Sequence, residues 1–255
     1  CRCNVSTRCC LKMFEKTNAI VVKSLKYGDS SLIVNCYCEN FGLQAFILRG
    51  ILKSKSKKAP KKSVFEPLNI IEIIFSKKES NNIGYIKEAK VKFPYKNIPF
   101  DFDKKSTIFF LNELLYQVLK EDKTKNISLF KYLYNSLIWF DSSKKISNFL
   151  IKFMFDLTKF LGFQPNVENE KFSYFDLENG FTTNTKPKGK FIEGKLKNIM
   201  ILFLGTTFDK ISSIKLNKIE RIKLFNYALD YFHCHLQKFN KPKSISILNE
   251  IYSPI

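Results

Sequence analysis

The chain has 255 residues, 45% of them apolar, enough for one large core or two modest ones, and a formal net charge of +20. A field of that sign attracts nucleic acid or an anionic membrane surface. No apolar run approaches the roughly eighteen residues of a membrane span, and "CRCNVSTRCCLK" at the start lacks the apolar centre of a signal peptide.

Four of the seven cysteines crowd the first ten residues, a spacing that suits reduced cytosolic thiols better than a disulfide scaffold. Regular pattern begins only near Met13, so residues 1–12 are expected to lie outside the folded domain. The excess charge is nearly all Lys, in a chain also rich in Ile, Asn and Phe. Codon bias in an AT-rich genome yields that mixture, so where the charge sits says more than its sum.

From Asn18 to about Phe93 the period is short. "NAIVVKSLKY" and "SSLIVNCYCEN" are β-branched and partly alternating, Phe41-Gly42 turns the chain, and "LQAFILRGI" follows. Then come a basic stretch, the strand-like "VFEPLNIIEIIF", a turn cluster "KKESNN" and a closing "IGYIKEAKVKF". Five such strands predict a small barrel of the OB-fold kind, which commonly binds single-stranded nucleic acid.

After "FPYKNIPF" the period becomes 3.6, predicting helices over 105–122, 126–143 and 147–163, the last ended by Gly162 and Pro165. "VENEKFSYFDLENGFTTNTKPKGKF" breaks the pattern and reads as a loop or short hairpin about Asn179-Gly180. Helices resume with "LKNIMILFLG", a long one from Leu216 to Phe239 and a short one in "SISILNEIY". In the long helix Ile219, Ile222, Phe225, Leu229, Phe232, Leu236 and Phe239 fall on one apolar face. The fold class is α+β: a five-stranded OB-fold barrel over 13–95, then a helical domain over 96–255 with an insertion at about 164–195.

The chemistry of catalysis is hard to find. No Gly-rich phosphate loop is present, so no nucleotide cofactor is expected. His233 and His235 point about 200° apart on a helix and cannot share a metal there. Asp101 and Asp103 read as helix-start acids rather than a nuclease pair. Gly205-Thr206-Thr207 has no neighbouring general base. Neither an enzyme nor a metal site is expected.

"LRGILKSKSKKAPKKS" (48–63) carries Arg49, Lys53, Lys55, Lys57, Lys58, Lys61 and Lys62 with no acid among them. It competes as a solvated loop, a targeting run and a phosphate-binding loop. Its place beside barrel strands favours the third, since OB-folds bind with strand faces and adjoining loops. Tyr37, Phe41, Phe46 and Phe65 lie in or beside the strands and read as core before they read as stacking platforms.

These residues together resemble a known family. "TNAIVVKSLKYGDSSLIVNCYCENFGLQAFILRGILKSKSK", with Gly28-Asp29, Gly42 and Arg49-Gly50 at its turns, is similar to the first barrel of the bacterial RecO family of recombination mediators. "FEPLNIIEIIF", "FFLNELLYQVL", "FLIKFMFDLTKFLGFQPN" and "YFHCHLQKFNKPKSISILNEI" extend the likeness to almost the whole chain after Met13. The resemblance implies a non-enzymatic cytoplasmic, nucleoid-associated protein that binds single- and double-stranded DNA and anneals strands. It also implies two protein partners, RecR and the acidic C-terminal tail of single-strand-binding protein (SSB), and help in loading RecA. The basic stretch becomes the DNA-contacting loop, and Lys152 with Phe153 a candidate seat for the tail. Many relatives carry a four-Cys zinc site after the "LGFxP" helix, but residues 166–195 here contain no Cys or His. The "KFSYFDLENGF" hairpin must then be held by packing of Phe172, Tyr174, Phe175 and Phe181.

Other classes compete. A general RNA- or single-strand-binding OB protein without a mediator role explains the charge but leaves the helical domain without a task. A membrane-surface protein needs a basic amphipathic helix, whereas the longest helix has Glu220 and Asp230 on its polar face.

Overall fold

A computed structural model describes residues 14–53, 60–78, 81–121 and 123–252. The chain divides into two compact units between Phe93 and Pro94. Residues 1–12, Lys55, Lys57 and Lys58 lie outside the described residues.

The first unit is built from β1 (Glu15–Tyr27), β2 (Ser31–Cys38), β3 (Gly42–Leu48), β4 (Ile70–Lys78) and β5 (Asn81–Phe93), closed into a barrel in the order β1-β2-β3-β5-β4. All pairings are antiparallel except β3 with β5, which run parallel. Alternation puts Ala19 and Val21, Leu32, Val34, Cys36 and Cys38, Phe46 and Leu48, Ile71, Ile73 and Phe75, and Ile86 inside. Closure gives every strand a neighbour on both sides, though β3 and β5 meet over only three residue pairs. Cys36 and Cys38 are therefore core residues, and burial pushes the Cys36 thiol well above its usual range.

One strand is shorter than its pattern suggests. Val64 and Phe65 belong to a 3-10 turn (Lys62–Phe65), not to β4, which begins at Ile70. Pro67 and a left-handed Leu68 (φ 56°) interrupt the strand between them. Leu68 is fully buried, and its N–H donates to Val21 O at 2.8 Å, beside the bulge between Val21 and Lys23.

The second unit contains α1 (Phe102–Glu121), α2 (Ile127–Ser142), α3 (Phe149–Leu161), a three-stranded sheet, α4 (Gly194–Gly205), a 3-10 turn (Phe208–Ser213), α5 (Lys218–His235) and α6 (Ile245–Tyr252). Asn126 caps α2 by accepting from Leu129 N at 2.9 Å, and Gly162 ends α3 in the left-handed conformation. Asn217 and Glu220 form a reciprocal capping box on α5. α3 is apolar nearly all round because it packs against α2, α4 and α5.

Two expectations need correction. The long helix ends at His235, with Leu236 as its cap, and Phe239 is buried beyond it by a turn in which its N–H bonds to Leu236 O. Its buried face is Leu224, Phe225, Ala228, Leu229, Tyr231 and Phe232, while Ile219 is 67% exposed. The insertion is also more than a hairpin. β6 (Tyr174–Asp176), β7 (Phe181–Thr183) and β8 (Phe191–Glu193) form a sheet in the order β7-β6-β8.

Candidate nucleic-acid interface

The basic stretch leaves the barrel at the end of β3 and is pinned at both ends. Leu52 N–H donates to Ser30 O at 2.9 Å, so the loop's start is held against the β1–β2 turn, and Lys53 N–H donates to Gly50 O at 3.1 Å. At the far end Val64 N–H donates to Lys61 O, and Asn69 Nδ2 donates to Ser63 O and Val64 O at 3.0 and 3.2 Å. The Phe65 ring anchors this turn in the barrel core.

Arg49, Lys53, Lys61 and Lys62 are all exposed. Among the described residues none of them has a carboxylate within ion-pair distance. Other barrel lysines differ. Glu72 on β4 accepts Lys90 at 3.0 Å and Lys16 at 3.2 Å, with Lys92 at 3.8 Å. Hydrogen bonds from Lys90 and then Lys16 hold the Glu72 carboxyl below its usual range. On β1, β4 and β5 one carboxylate, Glu72, offsets part of the charge of three lysines, whereas the described cations of the loop have no such partner and are open to a polyanion.

The outer face of β1, β2, β3 and β5 adds a second feature. Strand register places Leu25 opposite Ile33, Ile33 opposite Ile47, and Ile47 beside Tyr85. Their neighbours Val34, Phe46 and Ile86 point into the core, so this row points out. Leu25 is 48% and Tyr85 47% exposed. The next row holds Lys23, Asn35, Ala45 and Ile83. In the other direction Tyr27 faces Ser31, with Arg49 and Lys87 two residues beyond Ile47 and Tyr85.

The aromatics singled out from sequence lie elsewhere. Tyr37, Phe46 and Phe65 are buried, and Phe46 and Phe41 each meet Phe75 edge-on, at 5.1 and 5.2 Å between centroids. Tyr27, Tyr85 and Phe14, which the sequence did not mark, are exposed.

The remaining candidates sit in the helical unit. Lys152 is buried and donates to Asp156 Oδ1 at 2.5 Å, and burial raises the Asp156 carboxyl against the lysine's pull. Phe153 is fully buried between Phe149 and Tyr132, whose hydroxyl donates to the Phe153 carbonyl at 3.0 Å. Asp101 caps α1 by accepting from Lys104 N at 3.0 Å, and Asp103 lies in that helix's first turn. His233 bonds Phe239 O and His235 bonds Leu177 O, so both imidazoles join chain segments.

No group of His, Cys, Asp and Glu among the described residues has metal-binding geometry, and no described helix is long and apolar enough to cross a membrane. With no thiol or imidazole in 166–195, that segment does not fit a tetrahedral zinc. Of the four aromatics expected to hold it, Phe175 alone is in the core; Phe172 and Tyr174 are half-buried and Phe181 is exposed. Leu177 and Ile192 join Phe175. Polar ties do the rest: the buried Lys197 ammonium donates to Glu170 O and Phe172 O at 2.6 and 2.5 Å. The Asp176 carboxylate accepts from Glu178 N, Asn179 N and Asn179 Nδ2.

Comparison with known proteins agrees with this architecture. The family described as Recombination protein O N terminal matches residues 13–95, and Recombination protein O C terminal matches 99–244. Proteins named DNA repair protein RecO are similar end to end. That of Christiangramia forsetii is 37% identical over 94% of this chain and 100% of its own length. Those of Flavobacterium johnsoniae and Bacteroides fragilis are 34% and 33% identical, covering 93% and 94% of this chain and 99% and 100% of their own lengths. With both units matched and relatives aligned over their full length, the chain belongs to the recombination protein O family of DNA repair proteins.

Proposed function

We propose that the chain is a non-enzymatic recombination mediator of the bacterial cytoplasm and nucleoid. It binds single- and double-stranded DNA, anneals complementary strands and, with RecR, helps load RecA onto DNA coated by SSB. One observation carries the DNA-binding part. A cationic loop, whose described cations have no carboxylate within ion-pair distance among the described residues, is tied by the Leu52–Ser30 hydrogen bond to the rim of a closed five-stranded barrel. Barrels of this kind bind nucleic acid with strand faces and the loops beside them.

Recognition of the SSB tail rests on the family likeness. An acidic tail would reach Lys152 by exchanging one of its carboxylates for Asp156, and an apolar tail residue would pack where α3 presents Phe153. The deciding measurement is annealing of two complementary oligonucleotides precoated with SSB, with and without its acidic tail. Acceleration that needs the tail supports both DNA work and partner recognition. No acceleration in either case would reduce the protein to a basic single-strand binder.

A further inference from the structure

We propose that the 3-10 turn Phe208–Ser213 is a plug that keeps the groove between α2 and α3 closed, and that an acidic peptide carrying an aromatic side chain opens it by taking the place of Phe208. The inference rests on the acidic-tail reading above and deepens it: the seat is occupied from within, and the partner must displace the occupant.

Both helices line the slot. Between ring centroids, Phe208 lies 5.2 Å from Trp139 and 6.2 Å from Tyr132 on α2, and 5.4 Å from Phe149 on α3, which in turn meets Phe153. Beside it Asp209 accepts from Trp139 Nε1 at 2.9 Å. A cleft of about 350 Å³ opens here, lined in part by Ser142, Lys144, Lys145 and Ser212, with Asp209 the one acid in its lining. Lys144 and Lys145 are exposed and have no carboxylate within ion-pair distance among the described residues.

The turn is held unequally along its length. At its C-terminal end Ile211 and Ile214 are buried, and the buried Asn148 side chain donates to their carbonyls at 3.0 and 2.9 Å. Arg221 Nε fixes Asn148 by donating to its Oδ1 at 3.3 Å. The N-terminal end is held by ring contacts, the exposed Trp139–Asp209 bond and bonds local to the turn. Phe208 is half-buried, and Asp209 and Lys210 are exposed. Ahead of it Gly205 ends α4 in open space, with no atom within 4 Å of where a Cβ would stand. Segments with few buried contacts and exposed hydrogen bonds open most readily, so Phe208 can swing out on residues 205–207 while Ile211 stays seated.

The plug itself shows what the groove accepts. An aromatic ring fills the slot, and the next residue's carboxylate meets the indole N–H. A peptide offering the same pair competes for the same place. Its further carboxylates also gain Lys144 and Lys145, which the plug leaves without an acid; that charge complementarity favours the peptide over the plug.

The test uses the full chain and two labelled peptides, tetra-aspartate ending in phenylalanine and the same peptide ending in alanine, read by fluorescence anisotropy. The alanine peptide reports attraction to the basic surface as a whole. Phe208→Ala should bind the phenylalanine peptide about tenfold more tightly than wild type, because the open fraction of the groove rises. Asp209→Asn, at an exposed position that spares the fold, should tighten it about threefold relative to the alanine peptide. In stopped-flow mixing the wild-type rate should level off at high peptide, limited by opening, whereas the Phe208→Ala rate should keep rising. Unchanged or weaker binding in both variants would overturn the plug, since Phe208 would then be wall or bystander. An equal gain for the two peptides would overturn it too, as would a gain for oligo-dT without one for the phenylalanine peptide, which would give the slot to nucleic acid. Failure of wild type and both variants to prefer the phenylalanine peptide would refute the acidic-tail reading beneath it.

Discussion

Replacing Gly84 by alanine should strain the barrel at the point where it closes. Gly84 lies on the inner side of β5, beside Phe46 of the parallel strand β3. A Cβ there would stand 2.8 and 2.9 Å from two carbons of the Phe46 ring and 3.2 Å from Ser76 O. Carbon pairs are comfortable at about 3.5–4.0 Å, so the ring would have to retreat by roughly 0.7 Å or more. It has nowhere to go: Phe46 is buried with its ring against Phe75, and Phe75 in turn meets Phe41. Overpacking of this sort costs about 1–3 kcal/mol, and for a domain of this size 2 kcal/mol lowers the transition by roughly 10 °C.

The assay is a double-mutant cycle with Phe46→Leu, followed by urea denaturation and circular dichroism. Trp139, the chain's single tryptophan, lies in the other unit, and its fluorescence reports that unit separately. Leucine removes the ring edge that the new methyl meets, so the double variant should be at least about 1 kcal/mol more stable than the sum of the single losses predicts. Additivity within about 0.5 kcal/mol, or a Gly84→Ala barrel as stable as wild type, would refute the packing argument.

Charge reversal of Arg49, Lys53, Lys61 and Lys62 should flatten the dependence of log K on log salt for single strands by about 3, given about 0.7 per phosphate contact. Glutamine at Lys16, Lys90 and Lys92, whose charges Glu72 already engages, should change that slope by less than about 1. Asp141 gives a pH signature. Burial opposes its charge, but the N–H groups of Ile98, Lys96 and Asn97 and the Lys104 ammonium outweigh burial and hold the carboxyl below its usual range. A lowered folded-state pKa means stability present above the unfolded value of about 3.9 and lost as pH falls below it. Urea titrations read by Trp139 fluorescence should therefore show the helical unit weakening below about pH 4, and Asp141→Asn should cost about 2 kcal/mol at pH 7 and flatten that acid limb. Lys197→Met leaves the carbonyls of Glu170 and Phe172 without their donor, so amides of the three-stranded sheet should exchange faster by about tenfold, whereas a chelator should leave their exchange unchanged.

The barrel was legible because alternation and turn residues agree over most of its strands, and the helices because Gly162, Asn126 and Asn217 punctuate them. The first half of the fourth predicted strand misled because Val64 and Phe65 carry β-like side chains that a 3-10 turn can also bury. The long helix was overextended because Leu236 and Phe239 continue its spacing while a turn, not a helix, delivers Phe239 to the core. The apolar row on the barrel was invisible for a different reason. Ile33 and Val34, or Phe46 and Ile47, are equally apolar neighbours, and which of each pair faces out is decided by pairing register, not composition. Lysines around Glu72 and lysines of the loop likewise look the same in a sequence; cross-strand neighbours tell them apart.

The parallel seam between β3 and β5 joins Ala45, Phe46 and Ile47 to Ile83, Gly84 and Tyr85, three residue pairs in all. Every other pairing in the barrel links strands adjacent in the chain or the β1–β4 pair, so the two hairpin-linked groups β1-β2-β3 and β4-β5 can each form locally. The seam must wait for the chain to close over nearly forty residues that include the basic stretch. Closure entropy grows only as the logarithm of length, about 0.6 kcal/mol for each doubling. The lysine-rich part of that stretch, ahead of the buried Phe65 and Leu68, can thus be lengthened or rewritten with little effect on whether the barrel shuts, leaving its residues to be chosen by whatever they touch.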